Sequence, residues 1–306
     1  MNRAGSPLVG LVTIWYDAAD HMDRFVSDMQ AIRYPRVQPV FLIYKQTRKE
    51  VERLRSCVPK ALFIEPGSNL GTAVGWNLAI DRLTTMGAEY IGIWNADVKL
   101  HPKCLEQMVS AMQQDPTIGA VGPLLLYSDE PGKVEMYGGS FDVRTGMARH
   151  DYNGVINLTG LMPKRDAEYL DGGTMLLRAE VLRQVGGFDE EFFMYGEDCD
   201  ISFRIRRAGY RTTAVRDAWA WHYHRENNGS LGAPHEIFYI TRNQYYLVAK
   251  HGNDKDRRAL AYRMARELPR RSAHYLRRGK PTLAVAYLTG IIYGLAGWMG
   301  KRLWVR

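Results

Sequence analysis

Ala61-Leu-Phe-Ile-Glu65, Asn69-Leu-Gly-Thr-Ala-Val-Gly-Trp-Asn77 and Tyr90-Ile-Gly-Ile-Trp-Asn-Ala-Asp97 follow one another closely in this chain. Short apolar runs bounded by turn residues are the mark of strands buried on both faces. Thr72–Met86 between them has the length and composition of a helix, so the unit is strand, helix, strand, and its two strands run parallel. The pattern extends outward. Leu8–Trp15, Pro39–Tyr44 and Ala61–Glu65 are predicted strands, separated by helices over His21–Ile32 and the polar Arg48–Cys57. Pro102–Asp115 adds a helix with Leu105, Met108, Val109 and Met112 on one face. An α/β fold follows, with a mostly parallel sheet covered by helices and ligands expected at the carboxyl ends of its strands.

From about Gly119 the strands shorten and glycine-rich turns appear, Tyr137-Gly-Gly-Ser140 and Leu170-Asp-Gly-Gly173 among them. Cys199–Ala208 is a predicted helix stopped by Gly209. The chain has 306 residues, 46% hydrophobic and 24% charged, enough for one large domain with an appendage. Residues 1–250 are taken as a catalytic domain and 251–306 as a basic, aromatic extension. That extension holds 13 Lys/Arg against 3 Asp/Glu, while the rest holds 28 against 30. The net charge of +8 therefore points to an acidic surface meeting the tail, and not to nucleic acid on the core. Cys57, Cys104 and Cys199 form no CxxC pair, so a reducing, cytoplasmic location is expected, and the start of the chain has no signal-peptide pattern.

Four segments carry candidate chemistry. Tyr195-Gly-Glu-Asp-Cys-Asp200 opens a helix with three carboxylates, which either complement the helix dipole or, behind Phe188, Phe192, Phe193 and Met194, supply a general base. Asp97 ends a parallel strand, where it would project into the ligand crevice and hold Mg²⁺ or Mn²⁺, or else cap a turn. The small residues of Asn69–Asn77 allow a ligand close to the backbone, without matching a Walker loop or GxGxxG. In Trp219-Ala-Trp-His-Tyr-His224 an imidazole either joins a metal shell or is structural.

In order and wording these segments resemble family 2 glycosyltransferases, especially the rhamnosyltransferase-like branch, over roughly residues 8–250. The most specific stretch is Gly186-Gly-Phe-Asp-Glu-Glu-Phe-Phe-Met-Tyr-Gly-Glu-Asp-Cys-Asp200, running on to Arg204 and Gly209-Tyr210. The resemblance implies a GT-A fold: a Rossmann-like, mixed but mostly parallel sheet flanked by helices, here with a C-terminal helical extension. It implies inverting transfer of a sugar from a nucleotide-diphosphate donor to a hydroxyl of a glycan or lipid-linked acceptor in polysaccharide biosynthesis. Asp198 then matches the catalytic base, with Glu197 beside it. Thr13, Asp17, Asn69, Gly71, Ala73, Asn77, Asn95, Asp97 and Arg242 match the donor site, with Arg242 at the diphosphate. Asp171, Gly172, Gly173 and Trp221 match the sugar and acceptor pocket, and Asp97 with His222 the site of a divalent metal. Ser230 and Thr241-Arg-Asn243 match further family positions.

One departure concerns the nucleotide. The family has an acidic residue and Asn after the second strand, whereas this chain has Ile43-Tyr-Lys-Gln-Thr47, leaving Asp17 as the substitute. A sugar nucleotidylyltransferase would need a basic, glycine-rich loop where Trp15–Asp20 stands, and a non-catalytic carbohydrate-binding module would be expected to lack Asp97 or Asp198. Thr282–Gly300 is uncharged between basic flanks, with Tyr287, Tyr293, Trp298 and Trp304. An interfacial segment is favoured for it over a span or a packed helix, placing the protein peripherally on the inner face of an anionic membrane. A homodimer stays open.

Overall fold

The computed structural model describes residues 5–223 and 232–302. His224, Ser230 and Trp304 lie outside the described residues. In chain order the elements are β1 (Val9–Tyr16), α1 (Met22–Gln30), β2 (Val37–Tyr44), α2 (Arg48–Cys57), β3 (Leu62–Ile64), α3 (Thr72–Thr85), β4 (Tyr90–Ile93), β5 (Val98–Leu100) and α4 (Cys104–Gln114). There follow β6 (Ile118–Tyr127), β7 (Val134–Met136), β8 (Gly139–Asp142), β9 (Met147–His150), β10 (Lys164–Asp166), β11 (Leu176–Arg178), α5 (Ala179–Val185), α6 (Glu197–Arg207) and β12 (Arg211–His222). The helices α7 (Pro234–His251), α8 (Asp254–Arg277) and α9 (Pro281–Ala296) come last.

The main sheet runs β10-β12-β6-β11-β4-β1-β2-β3. Pairings β1–β2, β1–β4 and β2–β3 are parallel, as the strand–helix–strand pattern requires. Short β11 enters antiparallel between β4 and β6, so the sheet is mixed. The chain leaves β1 in one direction for β2 and returns on its other side as β4. A crevice opens at such a reversal of strand order, outside the carboxyl ends of the strands. The residues just past β1 and β4, Asp17 and Asn95–Asp97, line it. Two apolar layers sandwich the sheet. One holds Trp15, Phe25, Phe41 and Trp94, and the other packs α3 and α5 through Trp76, Leu83, Leu182 and Phe188.

Thr282–Gly300, expected at an interface, is mostly helix α9, which packs on α7 and α8 through a core of Tyr245, Val248, Leu260, Met264, Tyr275, Leu283, Tyr287 and Ile291. Its glycines explain the packing, because they let α9 approach the α7 backbone more closely than a side chain allows. Residue 250 falls inside α7, so the extension shares a core with the last helix of the expected catalytic domain. Among the described residues no helix is long and apolar enough to cross a membrane. A Cβ added at Gly290 would lie 2.9 Å from the Phe238 carbonyl oxygen and 2.9 Å from the Thr241 Cβ. Gly290→Leu is therefore expected to destabilise the fold by about 1–3 kcal/mol through overpacking, read as a lower urea midpoint.

Candidate active site

The cleft has a volume of about 790 Å³ and is lined by Ile14, Tyr16, Asp17, Ala18, His21, Tyr44, Lys45, Asn69, Gly71, Thr72, Asn95, Ala96, Asp97, Met194 and His235. At one end, Asp17 and Lys45 each stand one residue past paired strands β1 and β2. Both have left-handed backbones (φ 50° and 49°) that turn the chain away from the sheet. Their side chains form an ion pair of 2.9 Å, with the Lys45 ammonium 5.4 Å from the centre of the Tyr16 ring.

The loop into α3 forms the next wall. The Asn69 side chain accepts from the Gly71 N–H at 2.9 Å, and Gly71 takes φ 87°, where a Cβ would meet the Phe193 carbonyl oxygen at 2.2 Å. Only glycine fits there. The Thr72 N–H then donates to that carbonyl at 2.8 Å, and the Thr72 hydroxyl donates to the Glu197 carboxylate at 2.6 Å.

Asp97 and His222 come together through sheet register. β5 pairs antiparallel with the end of β12, setting His222 opposite Val98, and the Tyr223 N–H donates to the Asp97 carbonyl at 2.8 Å. His222 Nε2 lies 3.6 Å from Asp97 Oδ2, and Nδ1 lies 3.0 Å from the buried Glu135 carboxylate. Burial disfavours the imidazolium, yet the two carboxylates outweigh it and push the His222 pKa up to about 10. Burial likewise opposes ionisation of Asp97, but His222 prevails and holds that carboxyl below its usual range.

Asp171-Gly-Gly173 joins this region to the acidic helix. The Gly173 carbonyl accepts from the Asn95 N–H at 2.9 Å, while the Gly172 N–H donates to Asp198 Oδ2 at 3.3 Å. Asp198 Oδ1 also accepts from the Cys199 N–H at 2.8 Å. The turn that aims Asp198 is strained: Tyr195 has φ 65° and Gly196 φ 92°. The buried Asn243 amide holds that turn, donating to the carbonyls of Met194 at 2.8 Å and Tyr195 at 2.5 Å.

The three carboxylates have separate fates. Asp200 is fully buried, bound by Lys250 at 2.7 Å, His251 at 2.8 Å and Arg204 at 2.7 Å. Despite its burial these partners lower its pKa to about 2. Glu197 is buried against Thr72, and its Oε2 has no hydrogen-bond partner among the described residues. Asp198 stays partly exposed. Burial raises both Glu197 and Asp198, and neighbouring carboxylates add to the shift.

A family model described as glycosyltransferase-like family 2 matches residues 8–233. The chain belongs to that family. It is 26% identical to the N-acetylglucosaminyl-diphospho-decaprenol L-rhamnosyltransferase of Mycobacterium tuberculosis, covering 79% of this chain and 84% of that protein. The O-antigen biosynthesis protein RfbC of Myxococcus xanthus is 24% identical over 79% of this chain, although that match spans 19% of RfbC. Among solved structures, the mannosyltransferase PcManGT from Pyrobaculum calidifontis, in complex with GDP-Man and Mn²⁺, superposes with a TM-score of 0.60 at 17% identity, covering 97% of this chain and 89% of that one. Staphylococcus aureus TarS with UDP-GlcNAc gives 0.57 at 13% identity, covering 94% and 81%. The fold is GT-A.

Of the family 2 positions expected at the donor, Asp17, Asn69, Gly71, Asn95 and Asp97 line the cleft. Thr13 and Ala73 are buried outside its lining. Asn77 is also off the cleft, its amide spanning to the Phe188 N–H and carbonyl at 2.9 Å each and to Glu190 at 3.0 Å. Arg242, expected at the diphosphate, is fully buried. It donates to the Gly300 carbonyl at 2.6 Å and to the Asn243 side chain at 2.8 Å, stacked over Tyr239. Trp221, expected in the acceptor pocket, alternates with His222 along β12 and contacts Trp219, Lys99 and Pro131. Reasoning from sequence missed Lys45, His21 and His235 in the cleft and Glu135 behind His222. A lone acid in the apolar run Val134-Glu-Met136 is the signal that could have found Glu135, because a buried carboxylate needs a partner. Asn77→Ala should cost about 1–3 kcal/mol by orphaning the Phe188 N–H, while nucleoside-diphosphate affinity, measured by calorimetry, stays at the wild-type value.

Proposed function

We propose that this family 2 glycosyltransferase works by inverting displacement, with Asp198 as base and a divalent metal at Asp97 and His222. The donor is a nucleotide-diphosphate hexose or deoxyhexose, and the acceptor a hydroxyl of a glycan or lipid-linked sugar in polysaccharide biosynthesis. The rhamnosyltransferase similarity supports the deoxyhexose and the polyprenyl-diphosphate-linked acceptor, and such an acceptor puts the enzyme peripherally on the inner membrane face. The observation that carries the reading is the placement of Asp198, whose carboxylate is partly exposed and bound by two backbone N–H groups beside the loop that touches Asn95.

Asp198 takes the proton of the acceptor hydroxyl. The freed oxygen pair attacks the anomeric carbon while the bond from that carbon to the diphosphate breaks, its electrons leaving with the diphosphate. Attack from the face opposite the leaving group inverts the centre. Thr72 and Glu197 hold the loop that orients the donor, and Lys45 with Asp17 faces the nucleoside end.

The residues present suit a metal. Asp97 Oδ1 is buried without a hydrogen-bond partner among the described residues, and His222 carries Glu135 on its far nitrogen, the arrangement that orients a ligating imidazole. Asp97 and His222 are the two side chains that would hold such an ion. Bound there, such an ion would stabilise charge developing on the leaving diphosphate.

Asp198→Asn should fold with the wild-type circular dichroism spectrum and lose roughly 10²–10⁴ of kcat, the range for a positioned base. Wild-type turnover would overturn its role. Asp198 must be ionised to act, and burial with the charge of Asp171 raises its pKa, with Glu197, Tyr169 and Cys199 also near. The acid limb of the kcat–pH profile should therefore lie above the ordinary carboxylate range, activity falling as pH drops through it. Nucleoside diphosphates (UDP, GDP and dTDP in parallel) should raise the melting temperature only with Mn²⁺ or Mg²⁺ present, and EDTA or Asp97→Ala should remove that rise.

A further inference from the structure

The outer face of α9 is apolar along its length. Val285, Leu288, Ile292 and Leu295 recur at helical spacing and are exposed, Leu295 to 62%. Leu276 before the helix and Trp298 after it continue the surface at 57% and 52% exposure. No residue from Pro281 to Ala296 is charged, whereas Arg277, Arg278 and Lys280 precede the helix and Lys301 and Arg302 follow it, all exposed. The opposite face of α9 is already occupied by α7 and α8. This geometry is not that of a solvated helix, whose outer face is polar.

From it we infer that the α9 face is a docking surface for an anionic lipid bilayer, the helix lying flat with its aliphatic stripe among the acyl chains and its basic ends at the headgroups. At 16 residues α9 is shorter than a span, so it lies along the interface. A second copy of the chain fits poorly. Stripe against stripe, parallel or antiparallel, would set the basic ends of one helix against those of the other.

The chain after α9 runs straight to the cleft. The Gly300 N–H donates to the Glu191 carbonyl at 2.9 Å, the Arg302 N–H to the Tyr239 hydroxyl at 3.1 Å, and the Lys301 ammonium to the Asn69 carbonyl at 3.1 Å. Asn69 lines the donor cleft. Docking therefore holds one wall of the cleft at the bilayer surface, where the sugar of a lipid-linked acceptor sits. This purpose rests on the acceptor reading above, but the docking itself does not.

The test is co-sedimentation of the full chain with vesicles of phosphatidylcholine alone or of equimolar phosphatidylcholine and phosphatidylglycerol, without donor or acceptor. Wild type should pellet with the anionic vesicles and stay in solution with the neutral ones. Replacing Arg277, Arg278 and Lys280 together by Gln should lower anionic partitioning by roughly a hundredfold. Leu288→Glu with Ile292→Glu should abolish it, with the wild-type melting temperature kept because both side chains point outward. Equal pelleting on both vesicle types, or unchanged pelleting of the Leu288/Ile292 double variant, would overturn the proposal. So would failure to pellet together with a dimer, seen by light scattering, that the double variant dissociates. Loss of glycosyl transfer in any assay would leave the sedimentation result standing.

Discussion

Thr72 ties the Asn69–Gly71 wall of the cleft to the acidic helix. Its N–H and its hydroxyl reach, respectively, the Phe193 carbonyl and the Glu197 carboxylate, across more than a hundred positions of chain. A backbone N–H at a helix start has no partner within its own helix, so a carbonyl from elsewhere is a natural mate for it. The Phe193 carbonyl is that mate, and glycine at position 71 is what lets it come near. Everything that follows on the acidic side, the left-handed Tyr195, Gly196 and the first turn of α6, is built from that fixed point. Backbone strain of the order of 1–3 kcal/mol at such a turn persists only where surroundings over-determine it. Here Asn243 clamps the turn from behind and Asp200 locks α6 to the end of α7.

The site shows how one acidic motif can hold groups with different tasks. Asp200 is ionised and held by Lys250, Arg204 and His251, so it positions the helix. Glu197 is buried with a single hydroxyl partner, and charge on it is costly. Asp198 alone of the three combines a raised proton affinity with partial exposure. The same logic divides the histidine region. Glu135 is hidden and bonds one ring nitrogen of His222, while Asp97 stands on the other side and lines the cleft.

Strand ends were the legible part of this chain, because apolar runs bounded by turns report burial directly and their carboxyl ends mark the crevice. Asp97, just past β4, lines that crevice, as do Asp17 and the Asn69 loop, and the acidic helix was legible through its wording. Side-chain partners were not legible. Asn77 and Arg242 are polar residues near the motifs, and nothing local distinguishes one that meets a ligand from one that satisfies a distant backbone carbonyl. The contacts of Trp221 were not legible either, since they depend on how β12 faces β5. Glu135 reaches His222 only through the β6–β7 and β6–β12 pairings, and such long-range pairings leave no mark in either segment alone. In Thr282–Gly300 the uncharged run was legible, and the packing of its inner face was not, since that depends on which glycines meet α7.

Lys301 and Asn69 lie 232 positions apart, yet they meet at the rim of the donor cleft. That span has a kinetic meaning. Contacts so distant in sequence close late, after the loops between them have already lost their freedom. During synthesis the sheet, the strained turn and the acidic helix are all available before the segment that braces them. A chain still lacking residues 299–302 would carry a buried Arg242 without its carbonyl and a donor loop without its outer support. Arg242 and the Asn69 loop thus gain these partners only when the last described segment of the chain has joined them.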